Sequence, residues 1–255
     1  MQKIFVHIIF ILIIIGEIML LHGCSYVKTH CILTKISIEA KHIIDHLYSI
    51  NHDLKTLKGI GTITIHTKQM HFKARAAWNI MFPDKIRISI VDFYGQPIET
   101  IASDGKYLYV LSHKNTHSFY KKRSLSLNLE GIISIPLTST ELITILAGTM
   151  PSWIFDTATI EKNNNTLLLG RYWDDQHLKV NLTIDRFIHN YSVLENFSDT
   201  LYQVSYKDTT PADNFRIPKS IYIDSQEHGY LDIHVDRFWV NTPISQDVFG
   251  IMPTN

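Results

Sequence analysis

Phe72-Lys73-Ala74-Arg75-Ala76-Ala77-Trp78-Asn79-Ile80 decides the fold. Every second residue (Phe72, Ala74, Ala76, Trp78, Ile80) is apolar, and Lys73, Arg75 and Asn79 fall between them. Side chains alternate across a β-strand, so this stretch buries one face and wets the other, as strands of antiparallel sheets do. Ile86, Ile88 and Ile90 repeat the pattern against Arg87 and Ser89. Working outward, strand candidates recur at 59–66, 98–103, 107–112, 116–121, 155–161, 166–172, 177–185, 190–197, 201–207, 215–224 and 230–238. Turn formers separate them: Ser103-Asp104-Gly105, Asn163-Asn164-Asn165, Asp174-Asp175 and Glu227-His228-Gly229. Many strands joined by short turns imply a meander, curled so that most of its edges are protected.

Two segments break the period. Between Lys35 and Ile50, the residues Ile36, Ala40, Ile43, Ile44 and Leu47 recur at spacings of three and four, with Lys41, Asp45 and His46 opposite. That predicts an amphipathic helix with one buried stripe, its first turn capped by Thr34. From Ser124 to Met150 the chain is apolar without alternating. Thr138 followed by Glu141 forms a capping box, and Leu142, Ile143, Ile145 and Leu146 continue as a short helix that stops at Gly148. Ahead of it, Leu125, Leu127, Leu129, Ile132, Ile133 and Ile135 make a second apolar patch, helical or not. A curled sheet of about eleven or more strands is too wide for its own side chains to fill, so a helix can plug or cover the open side.

Residues 24–255 suffice for one large β domain, and no Gly/Ser/Pro-rich linker divides them. Formal charge is zero and the basic residues are scattered, which argues against a nucleic-acid partner; Lys121-Lys122-Arg123 reads as a solvated loop. The 14 histidines include His66 with His71 and His113 with His117, but there is no HExxH and no Cys/His cluster, so no metal or cofactor is expected. No GxSxG elbow is present, and Asp174-Asp175 sits in a turn, so no catalytic residue is assigned.

The N-terminus carries its own signal. Lys3 precedes an almost purely apolar run from Ile4 to Ile15, and the segment closes with Leu21-His22-Gly23-Cys24. This reads as an export signal, and its end resembles a bacterial lipobox, in which the peptidase cuts before a cysteine carrying diacylglycerol. His22 departs from the usual small residue, and Glu17 places a costly charge in the apolar stretch. The alternative is an uncleaved anchor helix over 5–21, short against the roughly 20 residues that a span needs. Either way the remainder lies outside the cytoplasmic membrane. With lipidation at Cys24, Cys31 is left alone and no intrachain disulfide forms. Ser25 after the cysteine points to the outer membrane, periplasmic face. The expected organisation is a signal peptide over 1–23, a lipid-anchored tether over 24–34 and one domain over 35–255.

Gly59-Ile60-Gly61, Phe82-Pro83-Asp84-Lys85-Ile86-Arg87, Asp92-Phe93-Tyr94-Gly95-Gln96-Pro97, Leu146-Ala147-Gly148-Thr149-Met150-Pro151 and the ending Asn241-Thr242-Pro243-Ile244 with Phe249 together resemble the LolA/LolB-like group, especially LolB-like outer-membrane lipoproteins. The resemblance is diffuse and spans nearly all of the exported chain. It implies an unclosed antiparallel β-barrel of about eleven strands with a helical lid, enclosing an apolar cavity for acyl chains, and a non-enzymatic role in binding lipids or lipoproteins and aiding their transfer. It also implies acyl lipid or acylated lipoprotein as cargo and a periplasmic carrier protein as partner. The anchored member of the group presents an exposed apolar residue between its third and fourth strands. The matching segment here is Val91–Pro97, with Phe93 and Tyr94 at its tip in place of the leucine.

The candidate site follows. Phe72, Trp78, Ile86, Ile88 and Ile90 on the sheet, with Leu142, Ile145 and Leu146 on the lid, line a lipid cavity or else fill a solid core; periodicity serves both. A filled core belongs to the alternative function, a structural or assembly lipoprotein of the envelope. Phe93 and Tyr94 either enter a membrane interface or fold back into the barrel mouth.

Overall fold

The computed structural model describes residues 35–68, 70–113, 118–123, 128–161, 165–171, 175–183, 185–196, 198–212 and 214–252. These lie in one compact unit, Thr34–Asn255. The expectations on the export signal, Cys24 and the tether fall outside the described residues.

In chain order the elements are β1 (Lys35–Ile36), α1 (Ile38–Ser49), β2 (Thr56–His66), β3 (His71–Met81), β4 (Lys85–Val91), β5 (Pro97–Asp104), β6 (Tyr107–Ser112) and β7 (Phe119–Arg123). Two helices follow, α2 (Glu130–Ile133) and α3 (Ser139–Ala147). The chain then returns to strands: β8 (Thr157–Glu161), β9 (Thr166–Gly170), β10 (Gln176–Leu182), β11 (Ile188–Glu195), β12 (Asp199–Ala212), β13 (Phe215–Ser225) and β14 (Gly229–Val240). A 3-10 turn, Gln246–Phe249, comes last.

Each strand expected from alternation is present among the described residues, with some ends shifted there and others lying outside them, and the two-residue β1 is added. Among the described residues they form one fourteen-stranded sheet rather than the eleven or so strands that the resemblance implied. The order is β1-β8-β9-β10-β11-β12-β13-β14-β2-β3-β4-β5-β6-β7, open at both ends. Only β1 pairs parallel, with β8. The sheet therefore consists of two meanders, β2–β7 and β8–β14, sewn together where β14 runs antiparallel to β2 from Tyr230↔His66 to Val240↔Leu57. The fold class is mainly β: an unclosed antiparallel barrel with a helical lid and an N-terminal amphipathic helix.

Helix α1 starts later than expected. Its N-cap is Ser37, whose hydroxyl accepts from the Ala40 amide at 3.1 Å, and not Thr34. The reason is β1: Lys35 and Ile36 are drawn into pairing with Thr157 and Ala158, and the Ser37 amide donates to the Ala158 carbonyl. Extended backbone up to Ser37 leaves Ile38 as the first helical residue. The expected stripe is buried at Ala40, Ile43, Ile44 and Leu47.

Between the two meanders the chain crosses the sheet through α2 and α3, and α3 packs against β4 and β13. The capping box at its start is complete: the Glu141 amide donates to Thr138 Oγ1 at 3.2 Å, and the Thr138 amide donates to Glu141 Oε2 at 2.8 Å. Gly148 ends the helix in the left-handed conformation. The C-terminal segment is tied to β4 by a hydrogen bond from Arg87 Nη1 to the Val248 carbonyl, 3.0 Å.

Candidate functional site

The sheet is filled unevenly. In β8–β13, inward side chains such as Leu167, Leu169, Leu178, Val180, Tyr191 and Val204 have no accessible surface. Across β14 and β2–β5, by contrast, a cavity of about 270 Å³ lies between the sheet and the lid. That is just below the roughly 300–1,000 Å³ usual for small-molecule sites. Its walls come from Ile63 and Ile65 on β2, Phe72 and Trp78 on β3, Ile88 and Ile90 on β4, Glu99 and Ile101 on β5, and Leu231 and Ile233 on β14. Its roof comes from Ile132 and Ile133 on α2 and from Leu142 and Leu146 on α3, with Met70 completing the lining.

Local sequence explains where the space lies. Along β3 the inward positions between Phe72 and Trp78 are Ala74 and Ala76, paired with Ile63 and Gly61 of β2. Methyl groups leave the middle of the sheet thin, while the two large rings stand about 20 Å apart along the strand. Trp78 in turn depends on Gly59, its register partner: a methyl group there would overlap the indole.

The expected cavity residues divide. Phe72, Trp78, Ile88, Ile90, Leu142 and Leu146 are brought together in the lining. Ile86 and Ile145 are not; both are buried in the packed core instead. Ile86 pairs with Ile80 near the start of β4, where the two isoleucines pack against each other's strand. On α3 the core surrounds more than half of the helix: Leu142 and Leu146, one turn apart, face the cavity, and Ile143, Ile145 and Ala147 are buried beside them. Ile63, Ile65, Leu231 and Ile233 are not singled out by the sequence, although they alternate as the chosen strands do. What places them here is the β14–β2 pairing, a long-range contact.

Phe93 and Tyr94 occupy the tip of the β4–β5 hairpin, 95% and 85% exposed, with ring centroids 5.6 Å apart. The turn is braced from below. Asp92 Oδ1 accepts from the amides of Tyr94 and Gln96, both at 2.8 Å, and the Gly95 amide donates to the Asp92 carbonyl at 3.1 Å. Gly95 takes φ +83°, which lets the chain reverse and hold both rings outward.

His66 and His71 are brought together, and among the described residues they gather no further ligand-type side chain. His66 and His71 face each other across β2–β3 with Nδ1 atoms 3.2 Å apart, and His66 stacks on Tyr230. His113 contacts Thr100 Oγ1 through Nε2 at 3.0 Å, and His117 lies outside the described residues. Among the described residues no three His, Cys, Asp or Glu side chains are grouped to hold a metal ion. No helix among them is long and apolar enough to cross a membrane.

Solved structures share this architecture. An outer membrane lipoprotein-sorting protein domain from Vibrio parahaemolyticus superposes with a TM-score of 0.60 at 8% identity, covering 82% of this chain and 96% of its own. A DUF1329 family protein from Desulfovibrio piger gives 0.58 at 7% identity, over 83% and 97%. A LolA superfamily protein from Nitrosomonas europaea gives 0.55 at 10% identity, over 83% and 97%. The fold is LolA-like. At the level of sequence, no family model matches the chain and no curated protein matches it. The likeness of this chain to those structures therefore concerns architecture.

Proposed function

We propose that this protein is a cell-envelope lipoprotein that takes acyl chains of lipids or lipoproteins into the cavity beneath α2 and α3 and aids their passage into a membrane. In this reading Cys24 carries the lipid anchor, the chain faces the periplasm from the outer membrane, and cargo arrives from a periplasmic carrier. The carrying observation is the apolar cavity roofed by helices, in a protein whose remaining strands, β8–β13, are closely packed. An acyl chain leaving water gains about 0.8 kcal/mol per buried CH₂, so such a lining supplies affinity without a reacting group. The LolA-like fold, shared with a lipoprotein-sorting domain, points the same way. Phe93 and Tyr94 supply the membrane contact: two exposed aromatic rings on a braced tip suit a bilayer interface.

Trp78 offers a built-in probe, because it lines the cavity. The full chain, freed of lipid and held in amphipol, is titrated with an amphiphile whose acyl chain carries bromine, a contact quencher of indole. Quenching is expected, and it should be lost in Trp78→Phe. Unquenched Trp78 at saturating probe would end the acyl-binding reading and leave the structural one. Delivery is tested separately with F93E/Y94E: probe binding and melting are expected to stay near the unmodified values while transfer to liposomes falls. Transfer at the unmodified rate would remove the loop from the mechanism.

A further inference from the structure

One polar side chain stands in the apolar lining, Glu99 of β5. Its register neighbours are Ile90 on β4 and Ser112 on β6. The ion pairs among the described residues are His52 with Asp53 and Arg75 with Asp236, and among those residues Glu99 has neither a hydrogen bond nor a counter-ion. It also marks a junction. An open trough of about 760 Å³ lies beside the cavity along β5, β6 and β7, and Glu99 and Ile132 line both spaces. The trough is the more polar of the two spaces: Lys122 on β7, Asn128 and Glu130 face it beside Leu108 and Val110.

We infer that the cargo carries a primary ammonium group close to its acyl chain, and that Glu99 receives it. The inference rests on the acyl-binding reading and specifies the head group. An amphiphile seated in the cavity removes water from Glu99, and a carboxylate dehydrated without a partner is costly. An ammonium restores the charge balance and brings three donors. A hydroxylated head group brings donors without charge, and a free fatty acid brings a second carboxylate that repels the first. Lys122 and Glu130 beyond the junction present both signs of charge, so a zwitterionic head such as phosphoethanolamine also finds a cation for its phosphate. The same ammonium can come from the free α-amine of an S-diacylglyceryl cysteine peptide.

The test compares head groups on one brominated chain, using Trp78 quenching in the full chain held in amphipol. The probes are a lysophosphatidylethanolamine, a lysophosphatidylglycerol, the free fatty acid, and a diacylglyceryl-cysteine peptide with its amine free or acetylated. The ammonium-bearing probes are expected to bind roughly three- to fivefold more tightly than their partners, the upper magnitude of one partly exposed ion pair, and the fatty acid most weakly. Glu99→Gln, a near-isosteric change, is expected to bring the paired probes within about twofold, with folding checked by its melting curve. Glu99→Lys is expected to reverse the order in favour of the anionic probes. Discrimination in the phospholipid pair or in the peptide pair supports the ammonium site and identifies its source. Equal affinities, or a preference that survives Glu99→Gln, overturn it while leaving acyl binding intact. Absence of quenching by every probe removes the acyl reading and this inference together.

Discussion

Ile86 and Ile88 carry the same side chain two positions apart on one strand face, yet only Ile88 meets the cavity. They should respond oppositely to enlargement. Ile88→Phe is expected to fill space, leave the denaturation midpoint nearly unchanged and weaken acyl binding. Ile86→Phe overfills packed core and is expected to cost about 1–3 kcal/mol. Equal stability losses in both variants, measured by urea denaturation, would show that the cavity has no room to fill. Gly59→Ala tests the support behind Trp78: the indole must move, so a loss of about 1–3 kcal/mol and a shifted emission maximum are expected. An unchanged melt and spectrum would mean that the indole has slack. None of these distinctions is legible in the sequence, where Ile86 and Ile88 alternate alike and Gly59 reads as part of a strand opening.

Helix α3 is the most legible element, because its ends are written locally. Thr138 and Glu141 close the capping box, and Gly148 stops the helix. Thr138→Ala is expected to cost about 1 kcal/mol, read from thermal melts. Tertiary structure gives Glu141 a second partner, since its Oε1 accepts from Tyr202 Oη at 2.9 Å, from a strand 61 positions on. Burial first, and the Glu141 carboxylate next, raise the Tyr202 hydroxyl well above its ordinary value; burial likewise raises Tyr191. A folded value above the unfolded one means that this contribution is whole below about pH 10 and is lost as pH rises through the folded value. Stability is therefore expected to fall on the alkaline side of about pH 10, and Tyr202→Phe should lessen that fall while Tyr191 retains part of it. Denaturant midpoints across alkaline pH decide the matter; a flat profile would mean that these hydroxyls titrate freely. The start of α1 departs from its local signal for the same reason that the Tyr202 contact is hidden in the sequence: β1 borrows Lys35 and Ile36 for pairing with a distant strand.

At the scale of the molecule, the contrast is between the closely packed strands β8–β13 and the hollow that β14 forms with β2–β5. Local opening follows buried contact density, so amides of β9–β12 are expected to exchange most slowly with solvent. The lid and β2–β5 should gain protection when the acyl probe is added. Uniform protection before and after addition, followed by mass spectrometry, would remove the distinction between the two regions. The anchor is a separate question. Cys24→Ser is expected to abolish lipid labelling and leave the precursor unprocessed; unchanged mobility and unchanged membrane association would favour the uncleaved helix over 5–21.

The strand period, the turns between strands, the capped lid helix and the turn that carries Phe93 and Tyr94 are legible in the sequence, because each is set by residues within a few positions of one another; that both rings stand outside the barrel mouth is not. Tertiary structure alone decided the seam of β14 on β2, the second partner of Glu141, and the division of identical hydrophobes between core and cavity. The physical reason is that alternation specifies which face a side chain takes and says nothing of what that face meets. Ile80 with Ile86, and Ile88 with Ile90, obey one pattern; the first pair meets packed neighbours and the second meets space left by Ala74, Ala76 and a lid held above them. Glu99 stands out only in that context, because a glutamate on a strand is unremarked until its apolar surroundings and its lack of a counter-ion are both in view.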